Sequence, residues 1–319
     1  MIYNSYSNYL KEKYGERVYK LPVNLPLTCP NRDGNKGVGG CIFCGEEGAA
    51  FENLPCTFSV EKQISENMEF IGKKYKAKKF IAYFQNYSNT YMPLESFKSY
   101  IKRAVCENVV AISISTRPDC IRSDYMDFLK KLSEESGIDI TIELGLQSVN
   151  YHTLKKINRG HTLAEFIDAV CTVKKYGFET CAHLILNLPW DDEDDVIECA
   201  KILSALGVNQ VKLHCLYILK NTPLAEQYLD GEINMGSYMD YVNRVILFLE
   251  YLSPDIVIQR LIGRAREDRT LFANYGTSWW KIKDTIDEKM LERNTFQGRL
   301  CSYLGGSALR RTGVEHNMA

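Results

Sequence analysis

The sequence predicts an α/β fold in which a parallel sheet is covered by helices. From about residue 57 to residue 220, short apolar runs alternate with amphipathic stretches at intervals of roughly 30 to 50 residues. The runs are apolar along nearly their whole length, which is typical of parallel strands buried on both faces. Polar residues cluster directly after each run, and α/β proteins place their active sites at the carboxyl ends of their strands.

Six βα units follow from this alternation. The predicted strands are residues 23–29, 78–84, 109–115, 138–144, 179–186 and 208–216. The amphipathic stretches between them carry apolar residues at three- and four-residue spacing, and several open with Ser, Thr, Asp or Pro, as helices do. The predicted helical stretches are 59–75, 93–108, 122–136, 162–177 and 194–207. Periodicity alone leaves the choice between a doubly wound sheet and a full or partial barrel open.

The alternation stops after about residue 220. We expect a helix over 237–252, a strand over 255–262 and a helix over 278–294, which together form an α/β extension packed on the core. The last twenty residues show no periodicity, so we expect a mobile tail. The predicted divisions are an N-terminal segment 1–22, a core 23–220, an extension 221–299 and a tail 300–319.

Composition excludes several classes of protein. The chain has 319 residues, 45% of them hydrophobic, and a net charge of −1, which excludes a strongly basic nucleic-acid scaffold. No apolar run approaches the roughly 20 residues of a membrane span, and the N-terminus lacks the apolar region of a signal peptide. We therefore expect a cytoplasmic protein with no membrane association. The eleven cysteines are an odd number, and they are interpreted as thiols.

Three cysteines carry the strongest chemical signal. Cys29, Cys41 and Cys44 follow the first predicted strand with the spacing C-x11-C-x2-C, and four glycines lie between the first two. A closed zinc site needs four ligands, and the nearest further cysteine, Cys56, lacks a second C-x2-C. Three thiolates on a four-iron cluster would leave one iron open for a small molecule. A degenerate zinc knuckle is the alternative. The other cysteines indicate no auxiliary cluster, and we expect Cys106, Cys171 and Cys199 to be buried.

With these cysteines, a set of motifs resembles the radical S-adenosylmethionine (SAM) superfamily. The commonest spacing there is C-x3-C-x2-C, whereas this chain is similar to the Elp3-like branch with its longer loop. Within that branch, the chain most resembles a bacterial subgroup called MnmL-like. The shared segments are CPNRDG (29–34), GGCIFC (39–44), IAYFQ (81–85), ISTRPDC (114–120), ELGLQS (143–148), INR (157–159) and the Gln-Gly pair at 297–298. The resemblance implies a partial (βα)6 TIM-like barrel over about residues 1 to 299.

The resemblance also implies the chemistry. A [4Fe–4S] cluster on Cys29, Cys41 and Cys44 would bind SAM, and electron transfer would yield methionine and a 5′-deoxyadenosyl radical. Contacts to SAM are implied for the adenine (Phe43), the methionine amino group (Gln85), the carboxylate (Gln147 and Arg159) and the ribose (Ser115 and His183). Plain core packing is the alternative for Phe43 and His183, and a solvated helix end for Arg159. Asn187 replaces the glycine that relatives usually carry.

The substrate is less well defined by the sequence. The Elp3-like resemblance favours tRNA, modified at the wobble uridine side chain in the 5-aminomethyl series, with a flavodoxin- or ferredoxin-type electron donor and a downstream methyltransferase as partners. Two basic clusters suit RNA, although either could be a solvated face. Lys212 and His214 share a face of the sixth strand and are candidates for substrate contact or proton transfer, with structural packing as the alternative. The clusters are Lys73, Lys74, Lys76, Lys78 and Lys79, and Arg260, Arg264, Arg266 and Arg269 followed by Trp279 and Trp280.

Three hypotheses therefore stand. The first is a radical SAM enzyme that modifies tRNA. The second is a radical SAM enzyme that acts on a small molecule or a peptide. The third is a non-catalytic zinc-binding module.

Overall fold

The fold is a curled, half-open barrel of seven parallel strands. A computed structural model describes residues 2–45, 53–263 and 267–308. In the sheet, the strands lie in the order β1-β2-β3-β4-β5-β6-β8, and every neighbouring pair is parallel. The strands are β1 Val18–Val23, β2 Lys79–Phe84, β3 Val109–Thr116, β4 Asp139–Gln147, β5 Glu179–Ile185, β6 Gln210–His214 and β8 Val257–Arg260. A small antiparallel pair joins β7 Ile218–Leu219 to β9 Thr270–Phe272. The predicted partial TIM-like barrel is thus confirmed.

Helices cover the convex face of this sheet. Apolar side chains from both layers form one large core between helices and strands. Three helices begin with a reciprocal capping box, in which the N-cap side chain and the third helical residue bond each other's backbone. The helices are α1 Tyr6–Tyr14, α2 Val60–Tyr75, α3 Leu94–Lys102, α4 Ser123–Ser136, α5 Tyr151–Lys156, α6 Leu163–Lys175, α7 Glu193–Leu206, α8 Pro223–Leu229, α9 Tyr238–Tyr251 and α10 Trp279–Glu292. None of the helices in the described ranges is both long and apolar enough to cross a membrane.

The first strand differs from its prediction. We expected residues 23–29, but β1 spans Val18–Val23 and pairs with β2 only. At residue 24 the backbone N–H of Asn24 donates to the side chain of Gln63 instead of to a strand, at 2.8 Å. Pro22 is tolerated because β1 is an edge strand, where a missing N–H costs no sheet hydrogen bond.

The C-terminal extension contributes to the barrel itself. The helices expected over 237–252 and 278–294 are confirmed as α9 and α10. The strand expected over 255–262 is the shorter β8, which joins the main sheet beside β6 as its seventh strand. Of the expected mobile tail, residues 300–308 bond to the C-terminal end of α9 and its cap, and residues 309–319 lie outside the described ranges.

Helix α1 closes the amino end of the barrel lumen. Its Leu10 packs on Val18, Ile81 and Ala111 from three strands. The Tyr14 hydroxyl donates to Asp139 and Lys13 pairs with Glu179, so the floor is also held by polar contacts. Helix α1 therefore covers the amino end of the lumen, opposite the carboxyl edge where the cysteines lie.

Candidate active site

The three-cysteine loop lies at the carboxyl edge of the sheet and is held from several sides. The backbone N–H of Ile42 donates to the carbonyl of Ile157 at the end of α5, and the Ile42 carbonyl accepts from Leu224 in α8, both at 3.1 Å. Within the loop, Arg32 donates to the carbonyls of Cys44 and Gly45 at 3.1 and 2.6 Å. The positions of the cysteines are thus fixed by backbone contacts from distant elements.

Two buried guanidinium groups point at the cysteine sulfurs. Arg117, after β3, directs Nη1 to Cys29 Sγ at 3.9 Å, and Arg159, after α5, directs Nη1 to Cys41 Sγ at 3.7 Å. Asp119 accepts two hydrogen bonds from Arg117, at 2.8 and 2.9 Å, and so orients it. The two guanidinium groups thus place positive charge directly beside two of the three sulfurs.

The number of cysteines in the loop suits an iron–sulfur cluster. A closed structural zinc site needs four ligands, and the loop supplies three thiol groups. Thiolates are the usual ligands of iron–sulfur clusters. In the described part of the chain, Glu143, Cys181 and His183 form a separate group whose ligating atoms lie within 4.8 Å of one another.

Glycines allow the cysteine loop to pack tightly. Asn31 is fully buried, and its side-chain amide donates to the carbonyl of Asn158 and faces Cys41 Sγ at 3.8 Å. A Cβ at Gly37 or at Gly160 would lie 2.5 Å from Asn31 Oδ1, closer than real contacts allow. Gly160 also has a φ of +74°, which L-residues with side chains rarely adopt.

The structure brings Gln147 and Arg159 together above Gly145. A Cβ at Gly145 would lie 2.6 Å from Arg159 Nη2 and 2.9 Å from Gln147 Nε2, so glycine is required there. Arg159 donates to the Gly145 carbonyl, to His161 and to Cys41. Of the five N–H donors of a guanidinium, two therefore stay available beside the cysteine loop. Burial and the adjacent Arg159 lower the pKa of His161 to about 3, so that His161 is a neutral partner.

The other residues predicted to contact SAM take separate positions. Phe43 is half-buried and packs on a second apolar cluster at the carboxyl edge. Gln85 follows β2 and bonds the carbonyl of Val23 through its backbone. Ser115 donates to the Tyr83 hydroxyl at 3.0 Å inside the lumen. Asn187 does not adopt the left-handed backbone conformation, and its side-chain oxygen accepts from the backbone N–H of Leu216 at 2.6 Å.

A network centred on Glu143 fills the lumen. Glu143 is fully buried on β4, and sequence reasoning missed it. His183 Nε2 lies 2.7 Å from Glu143 Oε2, and because a carboxylate only accepts, Nε2 carries the proton. Lys212 lies 3.3 Å from the same oxygen and 2.7 Å from the Tyr83 hydroxyl. The remaining donors to Glu143 are Lys20, Ser113 and Gln259.

Burial and neighbouring charges shift the titration of these groups. Burial lowers the pKa of Lys212 to about 7, with Glu143 opposing the shift and Lys20 adding to it. Burial and Lys212 lower the pKa of His183 to about 4. Burial acts to raise the pKa of Glu143, but Lys20 and Lys212 outweigh it and hold that pKa well below the usual range. The lumen at neutral pH therefore contains a carboxylate, a neutral imidazole and a lysine that titrates.

Glu143, Cys181 and His183 lie close enough to hold an ion, but their surroundings disfavour one. Burial and the Glu143 charge raise the pKa of Cys181, which keeps its thiol protonated. Lys20 and Lys212 already contact the same carboxylate, and their charges repel a divalent cation. This group therefore fits a hydrogen-bonded network rather than a metal site.

The basic clusters do not form one surface. The lysines at 73–79 lie where α2 ends and β2 begins, at the amino edge and thus opposite the cysteines. Arg260 faces the lumen and donates to His214, instead of extending the surface cluster expected for it. Arg264 and Arg266 lie outside the described ranges. Of the three cysteines expected to be buried, Cys199 is buried, whereas the prediction was wrong for Cys106 and Cys171, which are exposed.

Four of the predicted residues meet in the lumen. Ser115, His183, Lys212 and His214 lie on β3, β5 and β6 and are joined through Tyr83, Glu143 and Arg260. Arg260 was expected in a surface cluster instead. The residues that the sequence analysis did not propose for the site are Lys20, Tyr83, Arg117, Glu143 and Cys181. A charged residue inside an otherwise apolar strand was the available signal for Lys20 and Glu143.

Comparisons with known proteins define the family. The profile of the radical SAM superfamily matches residues 29–203, and the profile of the Radical_SAM C-terminal domain matches residues 208–292. The uncharacterised protein YtqA of Bacillus subtilis is 33% identical over 298 residues, covering 93% of this chain and 92% of that protein. The chain belongs to the radical SAM superfamily.

The branch follows from two further similarities. Human Elongator complex protein 3 is 28% identical over 149 residues, which cover 46% of this chain and 26% of that protein. The structure of an Elp3 from the archaeon Methanocaldococcus infernus superposes with a TM-score of 0.68 at 17% identity, covering 88% of this chain and 64% of that chain. The chain is thus similar in sequence to Elongator complex protein 3 over about half its length and shares the fold of the archaeal Elp3, and it spans only part of these relatives.

Proposed function

We propose that the protein binds a [4Fe–4S] cluster through Cys29, Cys41 and Cys44, binds SAM beside it, and modifies the side chain of a tRNA wobble uridine. The observation that carries the proposal is the cysteine loop at the open edge of the barrel, with Arg117 and Arg159 directed at its sulfurs. When bound, the cluster would supply the electron that cleaves SAM to a 5′-deoxyadenosyl radical.

The protein's own residues would orient SAM and exclude water. Gln147 and the two remaining donors of Arg159 would hold the SAM carboxylate, since a guanidinium fork matches that group. Phe43 would pack on the adenine, Gln85 would accept from the amino group, and Ser115 and His183 would lie towards the ribose. The closed floor under α1 leaves the carboxyl edge as the entrance, which limits the access of water to a reactive species.

Lys212 and His214 would lie on the substrate side of the lumen. A lysine whose pKa is about 7 can give or take a proton near neutral pH, which suits proton transfer during the reaction. Arg260 donates to His214 Nδ1 at 2.7 Å, and because a guanidinium cannot accept, that nitrogen is unprotonated. The same Arg260 nitrogen lies 3.2 Å from His214 Nε2, and burial together with Arg260 lowers the pKa of His214 well below its usual value, so His214 stays neutral.

Three features of the carboxyl edge support an RNA substrate. Lys155 and Lys156 are exposed on α5, whose end contacts the cysteine loop. Tyr151 begins the same helix with 58% of its surface exposed. Trp280 is 55% exposed near the start of α10. Lysines can hold phosphates while an exposed ring stacks on a base, and the Elp3-like resemblance points to the wobble uridine.

The test uses reconstituted protein, SAM, a reductant and tRNA from cells that lack this gene, under anaerobic conditions. Mass spectrometry of the nucleosides should show a new side chain at the wobble uridine. Reversing the charge of Lys155 and Lys156 should weaken tRNA binding and reduce its salt dependence. The matched control reverses Lys73 and Lys74, at the opposite edge, and should bind tRNA as the wild type does.

Unchanged tRNA nucleosides with intact SAM cleavage would favour the second candidate function, a radical SAM enzyme for a small molecule or peptide. A protein that holds zinc and no iron would favour the zinc-binding module. A flavodoxin- or ferredoxin-type electron donor and a downstream methyltransferase complete the proposal as partners.

A further inference from the structure

Among the described residues, positive charge exceeds negative charge in the upper lumen. Lys20 and Lys212 act on Glu143, Arg260 acts on Lys212, and Glu143 is the one carboxylate that the described part of the chain places in this network. The two carboxylates at the floor are already held by Lys13 of α1. Buried charge without a counter-charge is costly, so an additional anion would stabilise this arrangement.

Arg260 is the cation without an acidic partner. Its Nη2 contacts only the ring of His214, at 2.7 and 3.2 Å, and its Nε is buried without a hydrogen-bond partner in the described part of the chain. Burial, with Arg260 and His183 adding to it, lowers the pKa of His214 well below its usual value. His214 is therefore neutral and cannot offset the arginine charge.

The position of Arg260 makes it accessible to a substrate. It is the last residue of β8 and lies at the carboxyl edge, next to the end of β6. Tyr217 follows β6 and is close enough to both Cys44 and Arg260 for their charges to affect it. Arg260 and the cysteine loop therefore lie on the same carboxyl edge of the sheet.

We propose that Arg260 and Lys212 form a binding site for a substrate carboxylate, with His214 as a neutral hydrogen-bond donor beside it. This inference rests on the proposed function, because it identifies the substrate class of the same lumen. A planar guanidinium fork suits a carboxylate. A carboxylate at the end of a nucleotide side chain can enter between the strand ends by itself. A phosphate of the RNA backbone could reach the same place only if the backbone entered the lumen with it.

The same chemistry has a second source, the carboxylate of SAM itself. Arg159 lies beside β4 and Arg260 at the end of β8, so two carboxylates can be held on different sides of the lumen. The experiment must therefore measure SAM affinity and substrate affinity separately.

The test compares short anticodon stem-loop RNAs in which the wobble uridine carries a carboxymethyl group or its methyl ester at C5. Binding to the cluster-reconstituted protein is measured by fluorescence anisotropy. A charge-assisted hydrogen bond contributes about 1.5–3 kcal/mol, so the wild type should prefer the free carboxylate by about tenfold or more. Arg260→Gln and Lys212→Met should each lose this preference, measured within each variant as the ratio of its dissociation constants for the two RNAs.

The controls keep the outcomes separate. Arg103→Gln, which changes an exposed arginine paired with Glu61 on the convex face, should keep the preference. SAM affinity, measured by equilibrium dialysis, should be unchanged in Arg260→Gln. A wild type without preference, or a variant that keeps it, overturns the proposal. Weakened SAM binding in Arg260→Gln with intact RNA discrimination assigns the site to SAM and also overturns it.

A second arm separates this site from the tRNA proposal. Calorimetry compares N-acetylglycine with N-acetylglycinamide, which lacks the negative charge. If no stem-loop RNA binds, the tRNA function fails, but preferential binding of N-acetylglycine that disappears in Arg260→Gln supports the carboxylate site. If neither the RNA nor the small carboxylate is preferred, the site itself is refuted.

Discussion

Replacing Glu143 with glutamine leaves the buried Lys212 and the half-buried Lys20 without their carboxylate. Lys212 Nζ lies 3.3 Å from Glu143 Oε2, and at an effective dielectric constant of about 20 this separation corresponds to about 5 kcal/mol of attraction. Lys20 pairs with the other oxygen. Breaking a buried pair by removing one partner costs about 3–5 kcal/mol, so Glu143→Gln should lose about that much stability.

A double-mutant cycle isolates the interaction of Glu143 with Lys212. In Glu143→Gln, the second change Lys212→Met removes an unpaired ammonium group and should restore part of the stability. We expect a coupling energy of about 3 kcal/mol at pH 6, where Lys212, with a pKa of about 7, is charged. At pH 9 the amine is neutral in the folded protein, and the coupling should fall.

Urea unfolding of anaerobically purified proteins with matched iron content measures the four free energies. The control cycle uses Glu95 and Lys98, an exposed pair on α3 at 2.8 Å, for which about 0.3–0.5 kcal/mol is expected. If the two lumen changes prove additive, or if their coupling equals that of the control pair, the network does not have the electrostatic character described above.

Three other predictions concern the metal, the pH dependence and the packing. Cys41→Ser should lose iron, measured by colorimetric assay, whereas Cys301→Ser, outside the loop, should keep it. The pKa of Lys212 is about 7 in the folded protein and about 10.4 when unfolded. The unfolded state thus binds more protons between these values, and wild-type stability relative to Lys212→Met should rise by about 2 kcal/mol from pH 7 to pH 9; a flat difference in unfolding free energy would contradict this. Gly160→Ala should destabilise by about 1–3 kcal/mol more than Gly137→Ala, because both have positive φ but only Gly160 has a neighbour at 2.5 Å; equal melting temperatures would argue against the tight packing.

The sequence was most informative where strands are apolar throughout. Strands β2 to β6 bury both faces, so their runs stand out, and the alternation with helices predicts their parallel order. Strand β1 was misplaced because Lys20 and Pro22 interrupt its pattern. Lys20 is nonetheless directed into the lumen, where Glu143 compensates its charge. Only the folded chain shows that compensation, since the two residues are 123 positions apart.

The site was predictable in part. The spacing of the cysteines identified the loop, and the Gln147–Arg159 pair was inferred from the resemblance and lies together above Gly145. The proximity of Arg117 to Cys29 could not be predicted from the sequence, because it depends on how β3 and the loop after β1 meet at one edge of the folded sheet. Arg260 was assigned to a surface cluster because its sequence neighbours are basic, but the register of β8 turns it inward to His214.

The most direct test of the central claim is anaerobic SAM cleavage. Purified protein is reconstituted with iron and sulfide and given dithionite and SAM, and 5′-deoxyadenosine is quantified with and without bulk bacterial tRNA. The account predicts product that disappears in Cys44→Ala and increases with tRNA. Product that survives in Cys44→Ala, or no product from a protein that binds zinc and no iron, would contradict the account.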